Sequence, residues 1–364
     1  MSIHYLPDTP EFRAHMAQGN DEALKAMGLD PHVVAPWEDG YRAKATEDST
    51  FEWWYFDMQL DDGSTLVVVF FNKDADRPHE PVSPSVLVIH QKPDGTRTRH
   101  TLPFPAAQFS AATDKCDVKI GPNTVTGDLN TYALHVEDEG LAVDLTITRV
   151  APSWRPGASL TYFNKAKTEF LAWVVPVPYG TVAGTLTVDG QAHQITGSAY
   201  HDHNWGNRQM GSMLDHWFWG RAHIDDFTLI YVCMVTRGLM GVGHLGITTL
   251  MVAKGDQVLV EDGLPLRLET TGEVAAPGHQ HYPTELTWTW QQGDDRLRMH
   301  ITNPTLIEAL DRAPDGPKWR HPIANFVDHP MYYDFNADMT LDVDVKGVKA
   351  SVTGRTLYEK MIFR

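Results

Sequence analysis

The sequence predicts an all-β protein built as two tandem antiparallel β-barrels related by internal duplication, and three observations carry this expectation. Apolar residues recur with period two: Trp54, Phe56, Met58 and Leu60 alternate with Trp53, Tyr55, Asp57 and Gln59, and "LAVDLTITRV" and "ELTWTWQQ" repeat the pattern, as strands with one buried face do. Turn signals punctuate these runs at Asp62-Gly63, Asp94-Gly95, Asp189-Gly190 and Lys346-Gly347, with no βαβ alternation between them. The chain also resembles itself. "WWYFDMQLDDGSTLVVV" from Trp53 lies over "WFWGRAHIDDFTLIYV" from Trp217, so that Trp53 meets Trp217, Tyr55 meets Trp219 and Asp61-Asp62 meets Asp225-Asp226. "GTLTVDGQAHQITGSAYHDH" from Gly184 and "DMTLDVDVKGVKASVTGRTLYEK" from Asp338 share a strand, turn, strand, Thr-Gly order. A pair of β-sandwiches is the structural alternative.

Along the chain, residues 1–45 form a lead-in, where "TPEFRAHMAQGNDEALKAMG" predicts a short helix with Asp21 and Glu22 early and Gly28 as its stop. Residues 46–206 form the first barrel and 207–364 the second, because single cores stop growing near ~250 to 300 residues. A net charge of −17 and a pI near 5.4 disfavour nucleic acid and anionic lipid as partners. The amino terminus lacks a basic start followed by an apolar run, and no stretch reaches the ~18 apolar residues of a spanning helix. A soluble, cytoplasmic protein without stable membrane insertion is expected. Cys116 and Cys233 show no CxxC spacing and are expected as buried thiols, with a bridge between them in an oxidising compartment as the alternative. Eleven Trp and 18 His suggest aromatic surfaces around a cavity or interface, with core packing as the competing role. "GVGHLG" at Gly241–Gly246 lacks the spaced third glycine of a dinucleotide loop, and no Walker loop, HExxH or GxSxG occurs. Chemistry by side chains alone, with no cofactor and no metal, follows.

The densest polar stretch is "SAYHDHNWGN", Ser198 to Asn207. On a strand, His201, His203 and Trp205 continue the face of Ile195 and Ala199, while Tyr200, Asp202 and Asn204 continue that of Gln194, Thr196 and Ser198. Two imidazoles on one face could share a cation, with a third ligand from His90, His216 or His244. They could equally belong to a buried hydrogen-bond network. Asp57 and Arg221, oppositely charged at repeat-equivalent positions, could meet across a pseudo-twofold axis.

"FEWWYFDMQLDDG" (Phe51–Gly63), "AYHDHNWG" (Ala199–Gly206) and "WFWGRA" (Trp217–Ala222) resemble the lipocalin-like family of carotenoid 1,2-hydratases (hydroxyneurosporene synthases), kievitone hydratase and AttH-type proteins. More distantly, the architecture is similar to decalin-forming Diels–Alderases. The resemblance implies lipocalin-like barrels and cofactor-free chemistry on apolar polyene, terpenoid or polyketide molecules. The expected function is therefore a cofactor-independent hydratase or lyase, or a related isomerase or cyclase, acting on an apolar unsaturated small molecule. The alternative is a non-catalytic carrier of such a ligand, and a homodimer is the assembly considered beyond the monomer.

Asp202, His201, His203 and Tyr200 are the expected catalytic residues. Trp53, Tyr55, Glu52, Asn204, Trp205, Trp217, Trp219, Arg221 and His244 are the expected substrate contacts. Protonating an alkene requires a strong acid, and Asp202, the one carboxylate within the cluster, would serve if an apolar site raised its pKa. Indole faces would hold the resulting cation. Strand alternation separates Asp202 from the histidines unless a bulge near Gly197 or Gly206 intervenes. Without one, His201 or His203 becomes the donor and Asp202 its orienting partner.

Overall fold

The computed structural model describes residues 3–5, 9, 13, 21–43, 50–164, 166–237, 244–311 and 330–363. Two compact units result: Ala14–Gln209, and Met210–Arg364 together with Met1–Arg13. Each is a curled sheet, antiparallel but for one short parallel edge strand in the second, so the all-β expectation holds.

In the first unit the strands lie side by side in the order Arg97–Pro103, Ser85–Gln91, Thr65–Phe71, Phe51–Leu60, Gln191–Gly206, Phe170–Val188, Leu141–Arg149, Thr131–Asp138, Asn123–Gly127, Cys116–Ile120 and Phe109–Ala111. Trp54 and Phe56 from the centre, Val86 and Val88 from one side and Val118 and Val125 from the other share one apolar core. A sheet whose flanks meet the same core must curl, as strand twist favours.

The second unit runs His4–Tyr5, Leu245–Lys254, Phe227–Thr236, Leu214–Ile224, Val348–Ile362, Met331–Val345, Asp295–Asp311, Glu285–Gln292 and Arg267–Thr271. Phe218, Leu250, Trp288, Phe335 and Tyr358 anchor its core. The succession repeats that of the first unit. Phe51–Leu60 and Leu214–Ile224 each lie between their own hairpin partner and the last strand of their unit. The predicted turns close as read: Asp189 and Gly190 have φ of 52° and 74°, and Lys346 and Gly347 have 49° and 82°, the positive values a two-residue turn between twisted strands requires.

The lead-in contributes a helix at Asp21–Ala26 and a 3₁₀ turn at Pro36–Asp39. Arg155 pairs with Glu38 at 3.2 Å, and the Trp54 indole donates to the Asp39 carbonyl. These contacts seal the turn onto the first core, so the Pro36–Asp39 turn is part of that unit's interior. Cys116 and Cys233 are buried free thiols in separate cores. Among the described residues no helix is long and apolar enough to cross a membrane. The first half of "GVGHLG", residues 241–243, lies outside the described residues.

Candidate active site

The Gln191–Gly206 strand pairs with Phe51–Leu60 in unbroken register from Gly197 opposite Leu60 to Gly206 opposite Phe51. No bulge turns Asp202 toward the histidines. The irregularities fall on the other neighbour, between Val174 and Val177 and between Val177 and Gly180, where Pro176 and Pro178 cannot donate to the ladder. Strand alternation therefore stands, and two separate polar clusters occupy opposite faces of one strand.

The inner cluster is fully enclosed. His201 stacks on Phe56 at 4.0 Å and His203 on Trp54 at 4.6 Å, each between rings 12° to 14° from parallel. The His201 Nδ1–H donates to the Tyr55 carbonyl, and Nε2 lies 3.2 Å from Asp39 Oδ2. The Tyr132 hydroxyl donates to the same oxygen. His203 donates from Nε2 to Glu52 Oε1 at 2.7 Å, with Nδ1 3.4 Å from Asp39 Oδ1. The Arg42 and Ala43 amides also donate to Glu52. Burial works to raise the Asp39 carboxyl, but the imidazoles of His201 and His203 outweigh it and hold the group at about 2. Burial works against a charged His203 as well, and its bonds to Asp39 and Glu52 still raise it above the ordinary imidazole value. The carboxylates that orient the histidines are thus Asp39 and Glu52. The expectation that Asp202 would do so is corrected, because Asp202 points the other way.

Asp39, Cys116 and His201 also bring one ligand atom each within 4.8 Å of one another. Among the described residues this group does not include His203, His90, His216 or His244. His201 Nδ1 is already fixed by a carbonyl, as metal-binding imidazoles often are. Burial first, and then Asp39, push the Cys116 thiol well up, which suits a hydrogen-bonded thiol in a packed network.

The outer cluster centres on Asp202, buried at 8% exposure. Tyr200 donates to its Oδ2 at 2.8 Å, the Trp173 indole to the same oxygen at 3.0 Å, and Asn204 to Oδ1 at 2.9 Å. Burial pushes the carboxyl up to about 6, prevailing over the lowering effect of the Tyr200 and Trp173 bonds. Tyr55 approaches Tyr200 edge-on at 6.3 Å, and Trp154 meets Trp173 edge-on at 5.4 Å. Trp53, opposite Asn204 in the ladder, stacks on Phe51. This face combines one elevated carboxyl, a phenol and several half-buried aromatic rings.

Of the remaining expected contacts, Trp205 is half-buried on the inner face, 5.0 Å from His203. Trp217, Trp219, Arg221 and His244 belong to the second unit. The Trp217 indole donates to Glu359, Trp219 and Arg221 lie half-buried in the Leu214–Ile224 strand, and His244 lines a cavity there with His216. Sequence reasoning missed Trp173, Asp39, Tyr132 and Cys116. "PWEDG" carries a Pro-led turn signal, but no local pattern says where its carboxylate goes.

The first unit is thus an all-β sheet that holds a buried, raised carboxyl among aromatic side chains. The chain belongs to the AttH-like family, whose model matches residues 42–306. It is similar to a hydroxyneurosporene dehydrogenase of Chlorobaculum tepidum, 26% identical over 222 residues, covering 52% of this chain and 58% of that protein. It is similar also to the quinolone epoxide rearrangement protein asqO of Emericella nidulans, 21% identical over 234 residues and 59% of each chain. The chain thus spans less than two thirds of the length of either relative. In fold it is similar to kievitone hydratase from Nectria haematococca, with a TM-score of 0.54 at 15% identity over 92% of this chain and 94% of that one.

Proposed function

We propose that this protein is a cofactor-independent hydratase or isomerase/cyclase for an apolar unsaturated small molecule, with Asp202 as its acid. The observation that carries the reading is the Asp202 carboxyl, buried among aromatic rings and raised to about 6. In a hydration, the Asp202 proton passes to one alkene carbon and its O–H electrons remain on the carboxylate. Water then adds to the cationic carbon and returns a proton to Asp202, so the net change is one water across the double bond. In a rearrangement the same proton goes to an epoxide oxygen and is recovered after the skeleton shifts. Tyr200, Trp173 and Asn204 hold the carboxylate between the two transfers. Trp173, Tyr55 and Trp53 offer ring faces, each worth roughly 0.5 to 2 kcal/mol to a cation. The similarity to a quinolone epoxide rearrangement protein and, in fold, to a hydratase supports this class of chemistry. The repeated strand order and the two sequence matches support tandem, duplicated lipocalin-like barrels. The two free thiols agree with a cytoplasmic setting.

The test screens apolar alkenes and epoxides by mass spectrometry for gain of one water or for isomerisation, then compares Asp202→Asn with wild type. Turnover is expected to fall about 100- to 10,000-fold while substrate affinity persists. Undiminished turnover in Asp202→Asn removes the assignment.

A further inference from the structure

The second unit carries a cavity of about 240 Å³, and the internal repeat says what it is suited to hold. In the first unit Trp54 pairs across the ladder with His203. Its counterpart Phe218 pairs with Lys360, so Lys360 stands where His203 does. The counterpart of Glu52 is His216. The first unit thus sets a carboxylate against an imidazole, whereas the second sets an imidazole beside an ammonium. In the first unit the Asp39 carboxylate, supplied by the lead-in, completes the charge balance from above.

At the equivalent place in the second unit lies the cavity, lined by His216, Lys360, Asp215, His244, Glu273 and Phe218 among others. A bulge between Leu214 and His216 lets the adjacent Asp215 and His216 side chains meet, and bulges commonly re-aim side chains at such sites. The His216 Nδ1–H donates to Asp215 Oδ1 at 2.7 Å, which directs Nε2 away from that carboxylate. His244 Nδ1 lies 3.6 Å from the other Asp215 oxygen. Lys360 donates to the His281 carbonyl at 2.7 Å and lies 5.6 Å over the Phe218 ring, an ammonium held between a ring face and a carbonyl.

We infer that this cavity is a second ligand site, separate from Asp202, which binds a small monocyclic organic carboxylate by pairing it with Lys360 and His216. The ligand's carboxylate plays the part that Asp39 plays in the first unit, placing His216 between two carboxylates as His203 lies between Glu52 and Asp39. The volume falls below the ~300 Å³ at which pockets for drug-sized ligands begin, which limits the occupant to about one ring. Phe218 supplies the apolar wall for that ring. Burial lowers the Lys360 amine to about 8, which leaves it cationic at neutral pH. Among the described lining residues, Glu273, exposed at the rim, is the one anion that opposes the ligand and is not tied to an imidazole.

Isothermal titration of the full chain with benzoate at pH 7 tests the site, with benzamide as the neutral isostere. One saturable benzoate site is expected, with benzamide and the Lys360→Met variant each weaker by about tenfold or more, as loss of a charged hydrogen bond implies. Glu273→Gln, a rim substitution that leaves the core intact, should tighten benzoate. Asp202→Asn should leave its affinity unchanged, which separates this site from the proposed acid. Absence of saturation, equal affinity for benzamide, or loss of binding in Asp202→Asn overturns the inference. If Lys360→Met does not fold, unchanged affinity in both Glu273→Gln and His216→Gln overturns it as well.

Discussion

Asp39 and Asp202 are carboxyls of one unit moved in opposite directions by one balance, burial against partners. For Asp39 the imidazoles win and the group sits at about 2; for Asp202 burial wins and it sits at about 6. A depressed carboxyl contributes stability that is present above its unfolded value and lost as pH falls through the folded one. For Asp39 the contribution is of order 2 kcal/mol, lost between about pH 4 and 2. A raised carboxyl does the reverse, and the penalty from ionised Asp202 is present above pH 6 and absent below about 4. Two outcomes follow. Asp39→Asn should destabilise the fold by about 3 to 5 kcal/mol in urea unfolding at pH 7, because it strips a partner from buried imidazoles. Asp202→Asn should be at least as stable as wild type at pH 8, with the advantage vanishing by about pH 4, even though it is the substitution expected to cut turnover. A thermal scan across that range decides the second, and a variant less stable than wild type at pH 8 would contradict it. For wild type, kcat/KM should fall as pH rises through about 6, the limb of an acid that must be protonated.

At the scale of elements, the Pro36–Asp39 turn and the Gln191–Gly206 strand place the inner cluster, and both depend on close backbone approach. A Cβ on Gly40 would lie 2.6 Å from both the carbonyl carbon and the oxygen of Thr113, so this glycine is what lets the turn settle over the sheet. Gly40→Ala should lift Asp39 from His201 and His203 and destabilise the unit by about 1 to 3 kcal/mol. Imidazole NMR resonances would show the loss of the carboxylate, and unmoved His201 and His203 signals would refute the role. On the strand, a Cβ at Gly197 would meet the Gln59 carbonyl oxygen at 2.2 Å, which ties the unbroken register beside Phe51–Leu60 to a residue without a side chain. That register keeps Asp202 and the histidines on opposite faces.

For the molecule as a whole, the cores are separate: Trp54 and Phe56 anchor one, Trp288 and Phe335 the other. Both are built from one face of a strongly alternating sheet, while acidic residues such as Asp61, Asp94, Glu137 and Asp189 stand at exposed positions and contribute to the net charge of −17. A net charge of this sign is expected to be repelled by anionic bilayers at ordinary ionic strength. Co-sedimentation with vesicles rich in phosphatidylserine should therefore recover the protein in the supernatant. Binding that grows as salt is lowered would show a basic patch that overrides the net charge.

Much of this was legible locally. Period-two alternation and Asp-Gly turns specify antiparallel strands because side-chain direction and turn sign are properties of two to four consecutive residues. The same rule, applied to "SAYHDHNWGN", separates Asp202 from His201 and His203, and the unbroken strand obeys it. The partners of those residues were not legible. Asp39 reaches His201 from 162 positions away, Tyr132 reaches Asp39 from 93, and Trp173 reaches Asp202 from 29. Nothing in the local pattern of either partner encodes such distances. The sequence by itself determined which side chains share a face. Only the tertiary structure decided which carboxyl is held at about 2 and which at about 6, because a pKa answers to burial and to neighbours that the chain brings together only on folding.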